Sequence, residues 1–147
     1  MNGSITAALR MLVNDTERLL INRLRPLDLT VPQLRFLADF AANPDHSGAD
    51  AARASHLSPQ TGTIILQNLI LKQFITVQRV PGTGNRHKVT VTDCGKDVLN
   101  QALEAIAGVE KLLADLLGDN AAIEIGNVVT ALQPHLPSSP RRPRIND

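Results

Sequence analysis

Tryptophan and tyrosine are absent from this 147-residue chain and phenylalanine occurs three times, so leucine, isoleucine, valine and alanine must fill its core. Few strand-favouring aromatics beside much alanine and leucine tilt the fold class toward helix. Cysteine occurs once, which excludes an internal disulfide framework and a cysteine-based zinc site and fits a reducing cytoplasm. The four histidines, His46, His56, His87 and His135, lack ligand spacing, so no metal is expected. No apolar run approaches the roughly 18 residues of a membrane helix, and the N-terminus lacks the basic and hydrophobic blocks of a signal peptide. Neither a nucleophile elbow nor a phosphate loop is present, and Ser47, Asp50 and His46 are better explained by turn and cap chemistry. Neither an enzyme nor a cofactor is indicated; the expectation is a soluble, cytoplasmic protein of one domain.

Net charge is also small, +1, which argues against a nucleic-acid partner until the charges are placed. Residues 58–92 hold Lys72, Arg79, Arg86 and Lys88, with His87 among them and no carboxylate. Residues 93–136 hold Lys96 and Lys111 against Asp93, Asp97, Glu104, Glu110, Asp115, Asp119 and Glu124. A near-neutral total therefore hides a basic face and an acidic body.

Helical periodicity organises most of the chain. Ile5, Leu9, Leu12, Val13, Thr16, Leu19, Leu20 and Leu24 recur at helical spacing until Pro26 breaks the pattern. A second helix starts at Thr30, where Gln33 can close a capping box and Leu29 can staple onto Leu34, and runs to about Ala42. Asn43 to His46 form a turn, and Ser47 with Asp50 caps a short alanine-rich helix, Ala49 to about Ser55. A few residues later Ser58 and Pro59 open another helix, the cap supplied by Ser58 and the preset φ by Pro59. Two helices so closely joined make a helix-turn-helix. In the second, Ile65, Leu66 and Leu69 share one face, leaving Gln60, Thr61, Thr63, Ile64, Gln67 and Asn68 on or near the other. Amide and hydroxyl side chains on such a face can address base edges in a major groove. The plain alternative is an ordinary packed amphipathic helix.

The period then changes to two. Ile75, Val77 and Arg79 alternate with Thr76, Gln78 and Val80, and Val89 and Val91 with Lys88, Thr90 and Thr92, around the glycine-rich break Pro81 to Asn85. This is a β-hairpin. Thr92 can cap a long helix whose apolar stripe runs from Val98 to Leu117 and stops at Gly118; Asp119 is expected to cap a last helix ended by Pro134. Residues 137–147 form a proline-, serine- and arginine-rich tail without a period.

The order of elements and several local motifs resemble the MarR family of bacterial transcription regulators. Leu29-Thr30-Val31-Pro32-Gln33 is similar to that family's opening of the second helix, and Leu57-Ser58-Pro59 to its lead-in to the recognition helix. Asn85-Arg86 resembles the Asp-Arg of its wing tip, and Val91-Thr92-Asp93-Cys94-Gly95 the end of its wing. The resemblance covers roughly residues 5–136. It implies a mainly α fold with a small β-hairpin wing: a winged helix-turn-helix with N- and C-terminal dimerisation helices. Residues 1–136 form the domain, 29–92 its DNA-binding part, and 4–25 and 93–136 its dimerisation helices. It further implies a homodimeric, repressor-type regulator on a pseudo-palindromic operator in double-stranded DNA, often released by a small aromatic or phenolic effector.

The candidate DNA contacts are Ser58, Gln60, Thr61, Thr63, Ile64 and Gln67 on the reading helix, with Arg79, Arg86, His87 and Lys88 on the wing. An arginine at a hairpin tip can enter a narrow A·T-rich minor groove. Ile64 either meets a thymine methyl or is surplus core. The usual family cleft, bounded by the first, second and fifth helices, makes Phe36 and Phe40 candidate ligand-lining residues, with ordinary core the alternative. Cys94 is read as structural or incidental, because Asp93 and Asp97 oppose thiolate formation beside it. Where the family has other residues, His56 stands in place of a common glycine, Gly62 in place of the usual valine, and Ile64 and Asn68 in place of frequent arginines. Those departures motivate the rival reading, a winged-helix module that binds protein or ligand and has lost DNA.

Overall fold

The computed structural model describes residues 4–84 and 87–136; Asn85 and Arg86 of the expected wing tip, and the whole of the 137–147 tail, lie outside the described residues. The chain divides into two compact units, Met1–Val109 and Glu110–Asp147.

In the first unit α1 (Ile5–Leu24) passes into a 3-10 turn at Arg25–Leu27, which Pro26 favours by entering at its first turn. Next comes α2 (Val31–Ala42), then the helix-turn-helix pair α3 (Gly48–Ala54) and α4 (Pro59–Leu71). Strands β1 (Ile75–Arg79) and β2 (His87–Val91) pair antiparallel before α5 (Asp93–Leu117) begins. The starts of α2, α3, α4 and α5 are built by local hydrogen bonds. Thr30 accepts from the Gln33 N–H at 3.3 Å while the Gln33 side chain accepts from the Thr30 N–H at 3.2 Å. Ser47 and Asp50 form the same reciprocal box, and the Ser58 hydroxyl accepts from the Thr61 N–H at 3.2 Å. At α5 the Thr92 hydroxyl accepts from the Gly95 N–H at 2.9 Å and donates to the Gln73 carbonyl at 2.7 Å, so one side chain caps a helix and ties it to the start of the hairpin.

Helix ends follow a rule that composition concealed. Asp28 (φ 51), His56 (φ 55) and Gln73 (φ 60) each adopt the left-handed conformation that usually selects glycine. Each closes its helix with the same pair of bonds. The N–H of Leu29, Leu57 and Phe74 reaches back five residues to Leu24, Ala52 and Leu69, and the N–H of the left-handed residue reaches back three. The residue after each is apolar, and Leu29 and Phe74 are buried, so packing of that next side chain holds the strained backbone in place.

The core of this unit gathers Leu24, Leu34, Phe36, Leu37, Phe40, Ala52, Ile65, Leu69, Ile75 and Leu99 among others. Burying a side chain such as Phe36, Leu37 or Leu69, all at 0% exposure, contributes about 1.5–3 kcal/mol each. The hairpin register Ile75↔Val91, Val77↔Val89, Arg79↔His87 turns Ile75, Val89 and Val91 inward and leaves Thr76, Gln78 and Thr90 exposed.

The second unit contains the end of α5, α6 (Ala121–Leu132) and a 3-10 turn at Gln133–His135. The expectation of an Asp119 cap is corrected. Asn120 occupies the N-cap position of α6 without a side-chain cap bond, because Gly118 at φ +93 ends α5 and a tight turn, Ala121 N–H to Gly118 carbonyl at 3.1 Å, delays the next helix by one residue. No residue of α6 is buried, and Leu116, Ile123, Val128 and Leu132 are all at least half exposed in the single chain.

Candidate nucleic-acid interface

The interface is built on α4 and the hairpin. On α4 the inward face is Gly62, Ile65 and Leu69, all buried, with Leu66 half-buried. The opposite face exposes Gln60, Thr61, Thr63, Ile64 and Gln67; Asn68 is half-buried. Ile64, at 59% exposure, is surface and not surplus core. Two hydroxyls are engaged within the helix: Thr61 Oγ1 lies 2.9 Å from Ser58 Oγ, and Thr63 Oγ1 donates to the Pro59 carbonyl at 3.0 Å. Thr63 therefore turns its methyl, not its donor, to the outside, which suits apolar contact with a thymine methyl.

The hairpin stands beside this helix. Ser47, Gly48 and Ala49 at the start of α3, Pro59, Gly62, Thr63 and Leu66 of α4, and Val77, His87 and Val89 of the strands line one cleft of about 490 Å³. The N-terminal half of the reading helix and the base of the wing are thus walls of the same groove. Arg79, His87 and Lys88 are all exposed, and the Arg79 guanidinium donates to the Gly84 carbonyl at 3.4 Å. Arg86, expected at the tip, lies outside the described residues.

One basic residue of the 58–92 segment is withdrawn. Lys72, directly after α4, points back into the protein, where its ammonium donates to the Asp28 carbonyl and to Gln33 Oε1 at 3.2 Å and lies 3.2 Å from the Asp28 carboxylate. The spacing of Asp28 and Gln33 in the sequence does not single them out as partners of Lys72. The lysine is separated from them by 44 and 39 positions, so no local spacing announces the contact.

The positioning of α3 rests on Asp50. Its carboxylate accepts from the Ser47 hydroxyl at 2.7 Å and the Ser47 N–H at 2.9 Å, and these bonds lower its pKa from the ordinary carboxylate range to about 2. A folded-state pKa below the unfolded one means stability that is complete above about pH 4 and lost as pH falls toward 2. Asp50→Ala is expected to lower stability at pH 7 by about 1 kcal/mol. The gap to the native protein should close between pH 4 and pH 2, which paired thermal melts across that range would check.

The expected ligand-lining role of the phenylalanines is corrected in part. Phe36 is at 0% exposure and meets the edge of Phe40 with ring centroids 5.9 Å apart, so it is closed core. Phe40, at 3%, touches a cleft on another face, together with Ala41, Pro44, Lys88, Thr90 and Lys96. The cleft at the corner of α1 and α2, about 460 Å³, is lined instead by Glu17, Ile21, Arg25, Asp28, Leu29 and Val31 among others. Cys94 is exposed, and among the described residues no three His, Cys, Asp or Glu side chains are grouped to hold a metal.

These elements define a winged helix-turn-helix with helices before and after it. No protein-family model and no curated protein matches the chain. Solved structures do. The transcriptional repressor CouR bound to a 23-mer DNA duplex is 23% identical with a TM-score of 0.81, over 88% of this chain and 93% of that one. CouR bound to p-coumaroyl-CoA is 19% identical with a TM-score of 0.78, over 90% and 94%. The S. aureus MepR–DNA complex is 18% identical with a TM-score of 0.79, over 91% and 97%, and wild-type apo MarR from E. coli 20% with 0.68, over 93% and 100%. The fold of this chain is that of the MarR-type regulators, with six helices and a two-stranded wing among the described residues.

Proposed function

We propose that the protein is a MarR-family transcription regulator that binds double-stranded DNA as a homodimer and acts as a repressor on a pseudo-palindromic operator. The observation that carries this reading is the outward face of α4. It is capped at its start, polar, uncharged and exposed, and it shares a groove with a wing whose charged residues are basic. The reading helix supplies sequence preference through Gln60, Thr63, Ile64 and Gln67. Arg79, Arg86, His87 and Lys88 supply phosphate and minor-groove attraction. A DNA ligand supports a cytoplasmic location.

Dimerisation is supported separately in each unit. Of the twenty residues of α1 only Leu24 is buried, while Ile5, Leu9, Met11 and Val13 are 50–80% exposed. In the second unit Leu116, Ile123, Val128 and Leu132 are similarly open. Apolar surface of this extent marks an interface, and a second copy of the chain is the partner. An effector with an apolar ring fits the α1–α2 corner, where Ile21, Leu29 and Val31 supply apolar wall and Arg25 a cation for an acidic group. The second reading, a winged-helix module without DNA, draws on the withdrawal of Lys72 from the basic face.

Binding of DNA from upstream of the protein's own gene should fall steeply between about 50 and 200 mM salt, because phosphate contacts release counterions. Arg79→Ala and Arg86→Ala should each weaken it and flatten the log–log salt slope by about two, one for each protomer of the dimer. Fluorescence anisotropy against salt, with light scattering for mass, tests both parts. Retention of DNA that does not respond to salt, or none at all, favours the module reading, and a mass of 15.9 kDa in solution removes the dimer.

A further inference from the structure

We propose that Lys72 is a positioning residue for DNA recognition: it fixes the C-terminal end of the reading helix to the corner between α1 and α2 and makes no phosphate contact of its own. The inference rests on the DNA-binding reading above and names a residue that sets the geometry of that site.

Lys72 sits at the C-cap of α4, where a cation is favoured by the helix dipole, yet its side chain does not extend into solvent. It is 24% exposed, against 62% for Lys96 and 77% for Lys111. An ammonium carries three hydrogens, and three acceptors surround this one: the Asp28 carbonyl, the Asp28 carboxylate at 3.2 Å and Gln33 Oε1 at 3.2 Å. Two of its hydrogens are thus engaged by the Asp28 carbonyl and Gln33 Oε1, and the Asp28 carboxylate pairs with its charge, before any phosphate arrives.

Both partners are rigid for reasons of their own. Asp28 is left-handed, and the peptide that carries its carbonyl is held through the Leu29 N–H, which donates to the Leu24 carbonyl at 3.4 Å. Gln33 is at 6% exposure and uses the same Oε1 to accept from the Thr30 N–H, so the oxygen that caps α2 is the oxygen that receives Lys72. Two of the left-handed helix ends, at Asp28 and Gln73, are thereby fastened together by the residue between α4 and Gln73. Removing the lysine takes away the tie from this end of α4 to the α1–α2 corner, leaving the bonds at Gln73, Phe74 and Thr92 and the cap at Ser58, so the C-terminal end of the helix can shift relative to α2. The outward face of α4 would then meet base edges at the wrong angle.

The test is DNA affinity against salt for the native protein, Lys72→Met, Lys72→Gln, which keeps two N–H donors, and Arg79→Ala as a phosphate-contact comparator. The Lys72→Met protein should bind roughly tenfold more weakly with an unchanged salt slope, whereas Arg79→Ala loses about two units of slope per dimer. The Lys72→Gln protein should recover part of the affinity, and it also serves if the methionine variant folds poorly. Lys72→Met combined with Gln33→Met should cost less than the two single changes together, because both remove one contact. A slope reduced by about two per dimer in Lys72→Met overturns the proposal in favour of a phosphate contact. Unchanged affinity in either variant, with only a lower melting temperature, reduces the network to a structural one and overturns it equally. Absence of salt-sensitive binding by the native protein overturns the DNA reading itself, and this role of Lys72 with it.

Discussion

Gly95→Ala should be the most damaging single methyl that can be added to this protein. A Cβ at Gly95 would stand 2.0 Å from the Phe74 carbonyl oxygen and 2.9 Å from Val91 Cγ1. The oxygen cannot move away cheaply. It already accepts the Thr92 N–H at 3.0 Å and the Thr92 hydroxyl at 3.2 Å, and the Phe74 N–H is bonded to the Leu69 carbonyl at 3.0 Å. The first turn of α5 is thus pressed against the backbone that leaves α4 and enters the hairpin. Relief requires α5 to lift off and break the Thr92 bonds, at about 3 kcal/mol or more, the upper part of the range for overpacking. For a chain of this length that is roughly a 10 °C fall in Tm. Gly108→Ala is the control on the same helix. Nothing lies within 4 Å of a Cβ there, so the helix-propensity gain of up to about 1 kcal/mol should stand. Thermal melts of the two variants should move in opposite directions; equal shifts would mean that the contact at Gly95 relaxes freely.

Gly95 also shows where pattern reading stops. The caps at Thr30, Ser47, Ser58 and Thr92 were legible because a cap is a contact between residues three apart, and hydrophobic periodicity placed the six helices and two strands of the described residues for the same local reason. What stayed hidden depends on residues far along the chain. The left-handed ends at Asp28, His56 and Gln73 carry no glycine to announce them; they are held by packing of the apolar residue that follows. Asp119 looked like a cap because it precedes an apolar run, but the Gly118 turn moves the helix start past it. Phe36 was a candidate pocket residue by position on its helix, and the depth of the core at that position is a tertiary fact. Lys72 counted as a basic-face charge until its partners, 39 and 44 residues away, were in view. The candidate site follows the same division. The outward face of α4 could be read from spacing, while the intrahelical bonds that occupy the Thr61 and Thr63 hydroxyls could not.

Gly62→Ala reverses the sign that helix propensity assigns to it. In an isolated helix the change would be worth up to about 1 kcal/mol of stability. Here Gly62 is buried on the inward face of α4, and an added Cβ would lie 2.6 Å from Ala52 Cβ and 3.6 Å from Phe36 Cζ. Ala52 is 3% exposed on α3 and has no rotamer with which to retreat, so the two helices of the helix-turn-helix must part by about 1 Å to restore ordinary carbon contacts. The net expectation is a loss of about 1–3 kcal/mol, since a packed core does not accept an extra methyl silently. Glycine at this position is therefore what lets α3 and α4 approach closely, and its low helix propensity is the lesser effect. Displacement of α4 also displaces Gln60, Thr63 and Gln67, so on the proposed DNA-binding function affinity for DNA should fall further than stability alone predicts, with the salt slope unchanged because no wing cation is touched. Moving the methyl across the contact isolates the cause. The double variant Ala52→Gly with Gly62→Ala restores the gap, and its effects should be non-additive by more than 1 kcal/mol in urea melts, the two single changes together costing more than the pair. Additive costs would locate the damage in helix propensity and leave the close approach of α3 and α4 without a role in setting the reading helix.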